Sequence, residues 1–172
     1  TNWVVWNLLF AAVAAEASVM LYDGSPFARN AKILFDYAEK ERITHFGTSP
    51  KFLDAVAKRG LEPRRTHDLG ALRMVVSTGS PLSPEGFDYV YEKVKSDVIL
   101  SSVSGGTDIM AAFADASPVL PVYRGELQSR SLGMAVEVFD ENAEAVTNTK
   151  GELVCTRPFP SMPLGFWNDR GG

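Results

Sequence analysis

Nine residues, Ser101–Ile109 (Ser-Ser-Val-Ser-Gly-Gly-Thr-Asp-Ile), hold the residue types that phosphate and metal chemistry needs. They follow an apolar run, Asp97-Val98-Ile99-Leu100, that reads as a strand. A strand running into a small-residue loop frees backbone N–H groups at the carboxyl edge of a sheet, where α/β proteins bind ligands. The Thr107-Asp108 pair that follows offers one hydroxyl and one carboxylate. That set suits a phosphate oxygen and a Mg²⁺ ion. Taken alone, Gly-Gly followed by Asp is more often a plain turn. The rest of the chain must decide.

Composition bounds the answer. The chain has 172 residues, 45% hydrophobic and 22% charged, which predicts an ordinary globular fold with a real core. The net charge of −4 gives no basic footprint for nucleic acid. Cys155 is the single cysteine, in a strand-like run, and reads as a buried, inert thiol. His45 and His67 lack ligand-spaced partners, so zinc is not expected, and structural or surface roles suit both. Trp3–Leu21 is strongly apolar, but Asn7 and Glu16 interrupt it, so a buried helix is expected rather than a membrane span. With no secretory pattern either, the expected location is cytoplasmic. The chain opens on Thr1 and stops at Gly171-Gly172, which reads as a piece of a longer protein.

The elements that must position the site alternate strand and helix. Val4–Ala15 reads as a helix, Ser18–Tyr22 as a strand, Arg29–Lys40 as a helix and Ile43–Phe46 as a strand. Lys51–Arg59 is a helix stopped by Gly60. Leu72–Ser77, Glu85–Lys95 and Val98–Val103 continue as strand, helix and strand. Ser25-Pro26, Ser49-Pro50 and Ser83-Pro84 each read as a helix start, with serine as cap and proline at the first helical position. Beyond Ala111, prolines mark a loop; Leu132–Phe139 and Gly151–Thr156 then read as a β-hairpin around a polar turn. The expected fold class is α/β, a mostly parallel sheet with flanking helices followed by a small antiparallel β subdomain. The expected division is 1–116 for the α/β lobe and 117–172 for the β-rich segment.

Four segments in order resemble the adenylate-forming enzymes, the family of acyl-CoA synthetases, peptide-synthetase adenylation domains and luciferases. They are Leu72–Leu82, with Ser77-Thr78-Gly79-Ser80-Pro81-Leu82; Ser104-Gly105-Gly106-Thr107-Asp108; Gly151-Glu152-Leu153; and Gly165-Phe166-Trp167-Asn168. The likeness covers essentially the whole chain. Asn2–Asn7, Ser102–Ile109 and Thr156–Pro163 narrow it to members that act on acetoacetate.

The resemblance implies a ligase that activates a short carboxylic acid with ATP to an acyl-adenylate, then passes the acyl group to CoA. ATP, Mg²⁺ and CoA would serve the full-length parent. Thr107 and Asp108 are the implied catalytic pair, Thr107 at a phosphate oxygen and Asp108 near Mg²⁺ in place of the family's Glu. Gly79, Ser80 and Pro81 would lie along the adenine, with Ser104, Gly105 and Gly106 completing the nucleotide-binding set. Ser104 stands where many members carry an aromatic that stacks on the base. Trp3, Val4, Val5, Thr78 and Gly105 would line the acyl pocket. Acetate-specific members carry a Trp at the position of Gly105, and its absence leaves room for a longer acid. Core packing accounts for Trp3 and Trp6 about as well. Trp167 and Asn168 are expected to pin the β subdomain.

The family's phosphate loop, its ribose-binding Gly-Asp and its C-terminal lysine lobe do not occur in these residues. The segment by itself is therefore expected to be inactive, and exposed faces could drive self-association. The competing reading is a non-catalytic nucleotide-binding or scaffold domain of the same fold, which Ser104 and Asp108 favour and Gly79, Pro81 and Thr107 oppose.

Overall fold

Three short strands, β1 (His45–Thr48), β2 (Met74–Thr78) and β3 (Ile99–Gly106), pair in parallel and set the frame. Their register aligns Phe46, Val75 and Leu100 in one row across the sheet, each nearly or fully buried. Residues paired in a parallel register share a face, so this row is the apolar floor on which helices pack. The structure is a computed structural model that describes residues 3–165 and 167–168, with side chains of the first helix described from residue 9 onward. It divides into two compact units. One comprises the described residues of 1–20, 105–113 and 130–172, the other 21–104 and 114–129.

In the second unit, helix α3 (Ile33–Lys40) and helix α4 (Pro50–Lys58) cover the floor, with Phe35, Ala38, Phe52, Leu53 and Val56 buried. Phe35 stacks on Phe46 with centroids 5.7 Å apart, and Phe52 stands 6.4 Å from Phe46. Such pairs add to area burial because ring edges and faces carry opposite partial charge. Helix α4 begins as its sequence dictates: the Phe52 N–H donates to Ser49 Oγ at 3.3 Å, and Pro50 occupies the first turn. It ends before Gly60, whose φ of +68° suits glycine. Helix α6 (Pro84–Tyr89) starts the same way, the Gly86 N–H donating to Ser83 Oγ at 3.2 Å.

His67 is a buried link rather than a ligand. Its side chain is 4% exposed, with Nε2 3.1 Å from Asp36 Oδ1 and Nδ1 2.8 Å from Thr66 Oγ1. It thereby ties α3 to the short helix α5 (Pro63–Thr66). His45 lies exposed beside Thr44.

Several expectations need correction. Ser18–Tyr22 forms no strand; Val19, Met20 and Leu21 are exposed, and an apolar pentapeptide without a partner strand gains nothing from extension. Arg29–Lys40 is not one helix. Arg29, Asn30 and Ala31 have φ of +52°, +59° and +62°, so the four-residue turn α2 (Ala28–Ala31) is separate from α3. Burial of Ala31 and the 3.0 Å pair of Arg29 with Asp36 override local preference there. Ser25 Oγ accepts from the Phe27 N–H, in a local turn rather than as a helix cap. The Glu85–Lys95 helix widens into a π-helical turn over Val90–Val94, closed by Lys95 N donating to Val90 O.

The strand through Leu100 also runs further than expected. Beyond the expected end at Val103, Ser104–Gly106 also belong to β3, and only Thr107–Met110 form the turn. The strand β4 (Ala111–Asp115) follows, and with the two-residue β5 (Ser129–Arg130) it extends the sheet to the order β1-β2-β3-β4-β5. A four-residue connection between neighbours requires antiparallel β3 and β4, which makes the sheet mixed. Alanine-rich β4 carries little strand signal. Between β4 and β5, Gln128 holds residues 116–128 as a strap: its Nε2 donates to Ser117 O and Leu120 O at 2.9 and 2.7 Å, and its Oε1 accepts the Ser117 N–H at 2.8 Å. Arg124 clasps Asp88 on α6 with two 2.8 Å bonds.

The expected hairpin is present in the first unit as β6 (Val136–Phe139) and β7 (Glu152–Cys155), antiparallel with Phe139 opposite Glu152. Asp140 shapes its loop by accepting the Asn142 and Glu144 N–H groups, both at 2.9 Å. Cys155 is half-buried rather than buried, because the hairpin face it occupies is only partly covered. Trp167 is 94% exposed, against the expectation that it pins the β subdomain, and Phe166 lies outside the described residues. The first helix, α1 (Trp3–Ala14), forms, but it is not the buried helix expected: of its described side chains none is buried, and Phe10 and Val13 are 62% and 67% exposed. Among the described residues no helix is long and apolar enough to cross a membrane.

Gly151 is dictated by space: a Cβ there would strike the Phe139 carbonyl oxygen and stand 2.8 Å from Val138 Cγ1. Gly151→Ala should therefore cost about 1–3 kcal/mol, the range for overpacking, in a denaturant titration; an unchanged midpoint would contradict the register. Arg124, donating to Asp88, holds that carboxyl below its usual pKa, and Lys93 does the same for Glu62. A depressed carboxyl stabilises the fold above its unfolded pKa and loses that contribution as pH falls through the folded one. Thermal midpoints should therefore drop below about pH 4, and Asp88→Asn should shrink the drop. An identical acid profile for Asp88→Asn would remove Asp88 as a contributor.

Candidate active site

The residues singled out by sequence fall into two groups. In the second unit, Thr78 ends β2, and Gly79, Ser80 and Pro81 form an exposed turn before the cap of α6. Gly79 has φ of +102°, and a Cβ on it would meet nothing within 4 Å. Glycine is thus required by conformation, and the space above its Cα is open for a ligand to approach. Thr78 Oγ1 donates to Val103 O at 3.3 Å, which ties the end of β2 to β3 one residue before Ser104. Ser104 is half-buried in β3.

The Gly79–Pro81 turn also leads from β2 into α6. Ser83 does cap α6, and the capped helix is what presents the exposed turn. Ser80 and Pro81 also border an open depression of about 730 Å³, with Lys51, Asp54, Lys58 and Arg59 of α4 and its C-terminus on the other side. Arg59 is partly committed there: its guanidinium sits 4.8 Å from the Phe27 ring centroid, and Nη1 donates to Ala55 O. Sequence inspection did not foresee this basic wall. Its only signal was the spacing of Lys51, Lys58 and Arg59 around the outer face of one helix.

In the first unit, Gly105 and Gly106 end β3, and Thr107 and Asp108 begin the tight turn to β4. Gly105, Thr107 and Asp108 are exposed. A Cβ on Gly106 would meet nothing within 4 Å. Among the described residues the Asp108 carboxylate has no hydrogen-bond or ion-pair partner, so it caps no N–H group. Thr107 is exposed and contributes its carbonyl to the turn, accepting the Met110 N–H at 3.3 Å. Trp3, Val4 and Val5 belong to α1, but their side chains lie outside the described residues.

Among the described residues no cluster of three His, Cys, Asp or Glu side chains can hold a metal ion. Mg²⁺ does not need one. It keeps several waters and binds through one or two carboxylates together with substrate phosphates. A lone, unengaged carboxylate beside a free hydroxyl is a donor set of that kind.

Three parallel strands with an exposed, glycine-bearing turn after β2 place that turn at the sheet edge where α/β proteins commonly bind ligands. Residues 4–167 match the family described as AMP-binding enzyme, and the chain belongs to that family. Within it, the chain is 56% identical over 171 residues to the acetoacetyl-coenzyme A synthetase of Rhizobium meliloti (strain 1021), covering 99% of this chain and 26% of that protein. It is 49% identical over 171 residues to the acetoacetyl-CoA synthetase of Xenopus tropicalis, covering 99% of this chain and 25% of that protein. The solved acetoacetyl-CoA synthetase from Streptomyces lividans superposes with a TM-score of 0.89 at 42% identity, over 98% of this chain and 26% of that one. The chain thus spans about a quarter of the length of the relatives it matches.

Gly79→Ala tests the turn. With open space above the Cα, any penalty comes from the left-handed backbone alone, and a loss of about 1–2 kcal/mol in stability is expected. A Gly79→Asn variant should lose less, since Asn tolerates that region; equal losses would point to a clash instead.

Proposed function

We propose that the full-length protein carrying this chain is an AMP-forming acid–thiol ligase that joins acetoacetate to CoA, acting in the cytoplasm. The observation that carries this reading is the alignment of 99% of the chain, at 56% identity, with an acetoacetyl-coenzyme A synthetase. The exposed Gly79–Pro81 turn and the Gly105–Asp108 segment, exposed except at half-buried Gly106, offer backbone and side-chain groups of the kind the reaction uses.

In the first step a carboxylate oxygen of the acid attacks the α-phosphorus of ATP, and pyrophosphate leaves. Negative charge builds on the α-phosphoryl oxygens, and preorganised donors there lower the barrier. Thr107 donates its hydroxyl to one phosphate oxygen. Asp108, with water and phosphate oxygens, would hold Mg²⁺, which when bound neutralises phosphate charge. Gly79, Ser80 and Pro81 lie along the adenine, and Ser104 and Gly106 complete the nucleotide contacts. In the second step the CoA thiol gives up its proton to solvent, its sulfur attacks the acyl carbonyl carbon, and the bond to AMP breaks as AMP leaves.

By likeness to the family, Trp3, Val4, Val5, Thr78 and Gly105 would serve the full-length protein's acyl pocket. Gly105 sets its length, because without a side chain it leaves the space a longer acid needs. One or two extra heavy atoms in a pocket are worth about 1–3 kcal/mol in discrimination.

The test is acid-dependent ATP–pyrophosphate exchange by the full-length protein, with acetoacetate, butyrate and acetate compared. Exchange should be fastest with acetoacetate, and Gly105→Trp should shift preference toward acetate by about 10-fold or more. Exchange led by another acid would retain the ligase and discard the substrate. No exchange with any acid would transfer the reading to a non-catalytic nucleotide-binding domain.

A further inference from the structure

Three serines are buried toward the carboxyl end of the sheet, where packing alone would call for apolar residues; one of them, Ser101, donates its hydroxyl to Asp115 Oδ1 at 3.1 Å. Ser77 and Ser102 are 0% and 4% exposed. The parallel register places Thr48 opposite Ser77, and Ser77 opposite Ser102. Two residues earlier on the same strands and face stand Phe46, Val75 and Leu100. The core face therefore changes from an apolar row to a hydroxyl row within one pleat. A buried hydroxyl costs free energy unless it is used.

Ser102 is used. Its Oγ accepts the Leu82 N–H at 3.4 Å, across twenty residues of chain. Leu82 closes the Gly79–Leu82 turn, and its side chain is 3% exposed. The turn is thus held from inside by the packed leucine and by one hydrogen bond, while its outer face, Gly79 to Pro81, stays open. Ser77 Oγ has no partner among the described residues. Of the three buried hydroxyls, only that of Ser102 reaches the turn.

We infer that Ser102 is a positioning residue for the nucleotide: its hydroxyl fixes the backbone of the Gly79–Leu82 turn in the geometry that receives the base. This rests on the reading of that turn as the adenine-side wall. Ser102 touches no reacting atom and acts only through Leu82. Without the bond, the turn samples other geometries and ordering it is charged against nucleotide binding. Acid binding, which does not involve this turn, is unaffected.

The experiment is steady-state ATP–pyrophosphate exchange in the full-length protein with Ser102→Ala, Ser102→Thr and Ser77→Ala. Ser102→Ala should raise KM for ATP about five- to tenfold, the worth of one such bond, with KM for the acid unchanged. Ser102→Thr, which keeps the hydroxyl, should restore most of the loss. Ser77→Ala, which deletes an unpartnered hydroxyl, should leave KM for ATP at the wild-type value. If Ser102→Ala does not fold, Ser102→Cys keeps the volume with a weaker acceptor and should show the same selective rise.

An unchanged KM for ATP in a folded Ser102→Ala or Ser102→Cys protein would overturn the assignment. So would an equal rise in both KM values, or an equal effect of Ser77→Ala, because each indicates general packing. A wild-type protein without exchange would instead remove the adenine reading on which the inference stands.

Discussion

The parallel register of β1, β2 and β3 is the constraint on which the rest depends. It aligns Phe46, Val75 and Leu100 as a buried apolar row, and it aligns Thr48, Ser77 and Ser102 one pleat further on. The first row supplies the burial that recruits α3 and α4. The second row stays buried at Ser77 and Ser102 but replaces apolar side chains with hydroxyls. A one-residue slip of β2 would turn Val75 and Ser77 to the opposite face and remove both at once.

The helix caps join this frame to the exposed turn. Ser83 satisfies an N–H at the start of α6, so the chain leaves β2 and enters the helix within five residues. That short connection forces Gly79 into a positive φ and leaves Gly79, Ser80 and Pro81 exposed. Leu82 then returns to the core. Gly86 belongs to the same economy of space, since a Cβ on it would lie 2.5 Å from Leu82 Cδ1. The strap over residues 116–128 reaches α6 from outside, through Arg124 to Asp88, and the close approach of Gly125 to Pro84 leaves little room for a side chain there.

Much of this was legible from local chemistry. Ser49-Pro50 and Ser83-Pro84 cap helices because the free N–H groups of a first turn lie within reach of a serine two or three residues back. Ser25-Pro26 offers the same dipeptide and starts no helix there, because Ala31 is buried and Arg29 is drawn to Asp36. β4 escaped because alanines carry no alternation of hydrophobicity, and only pairing reveals them as a strand. Of the candidate site, Gly79, Ser80, Pro81, Gly105, Thr107 and Asp108 are exposed where backbone or side chain is free. The basic wall of α4 and the hydroxyl of Ser102 went unnoticed, since neither belongs to a motif contiguous in sequence.

The sequence by itself determined which segments are helix or strand wherever caps, glycine stops and apolar periodicity agree, and it determined the family through the order of four short motifs. Those signals act over three or four residues, within the range of a single turn or pleat. Only the tertiary structure decided that β3 continues through both glycines of Ser104-Gly105-Gly106, that Ser18–Tyr22 stays unpaired, and that Ser102 reaches Leu82. Each of those outcomes depends on a neighbour that is distant in the chain. Strand pairing and buried hydrogen bonds are satisfied by whatever group the fold brings alongside, and no local propensity encodes it.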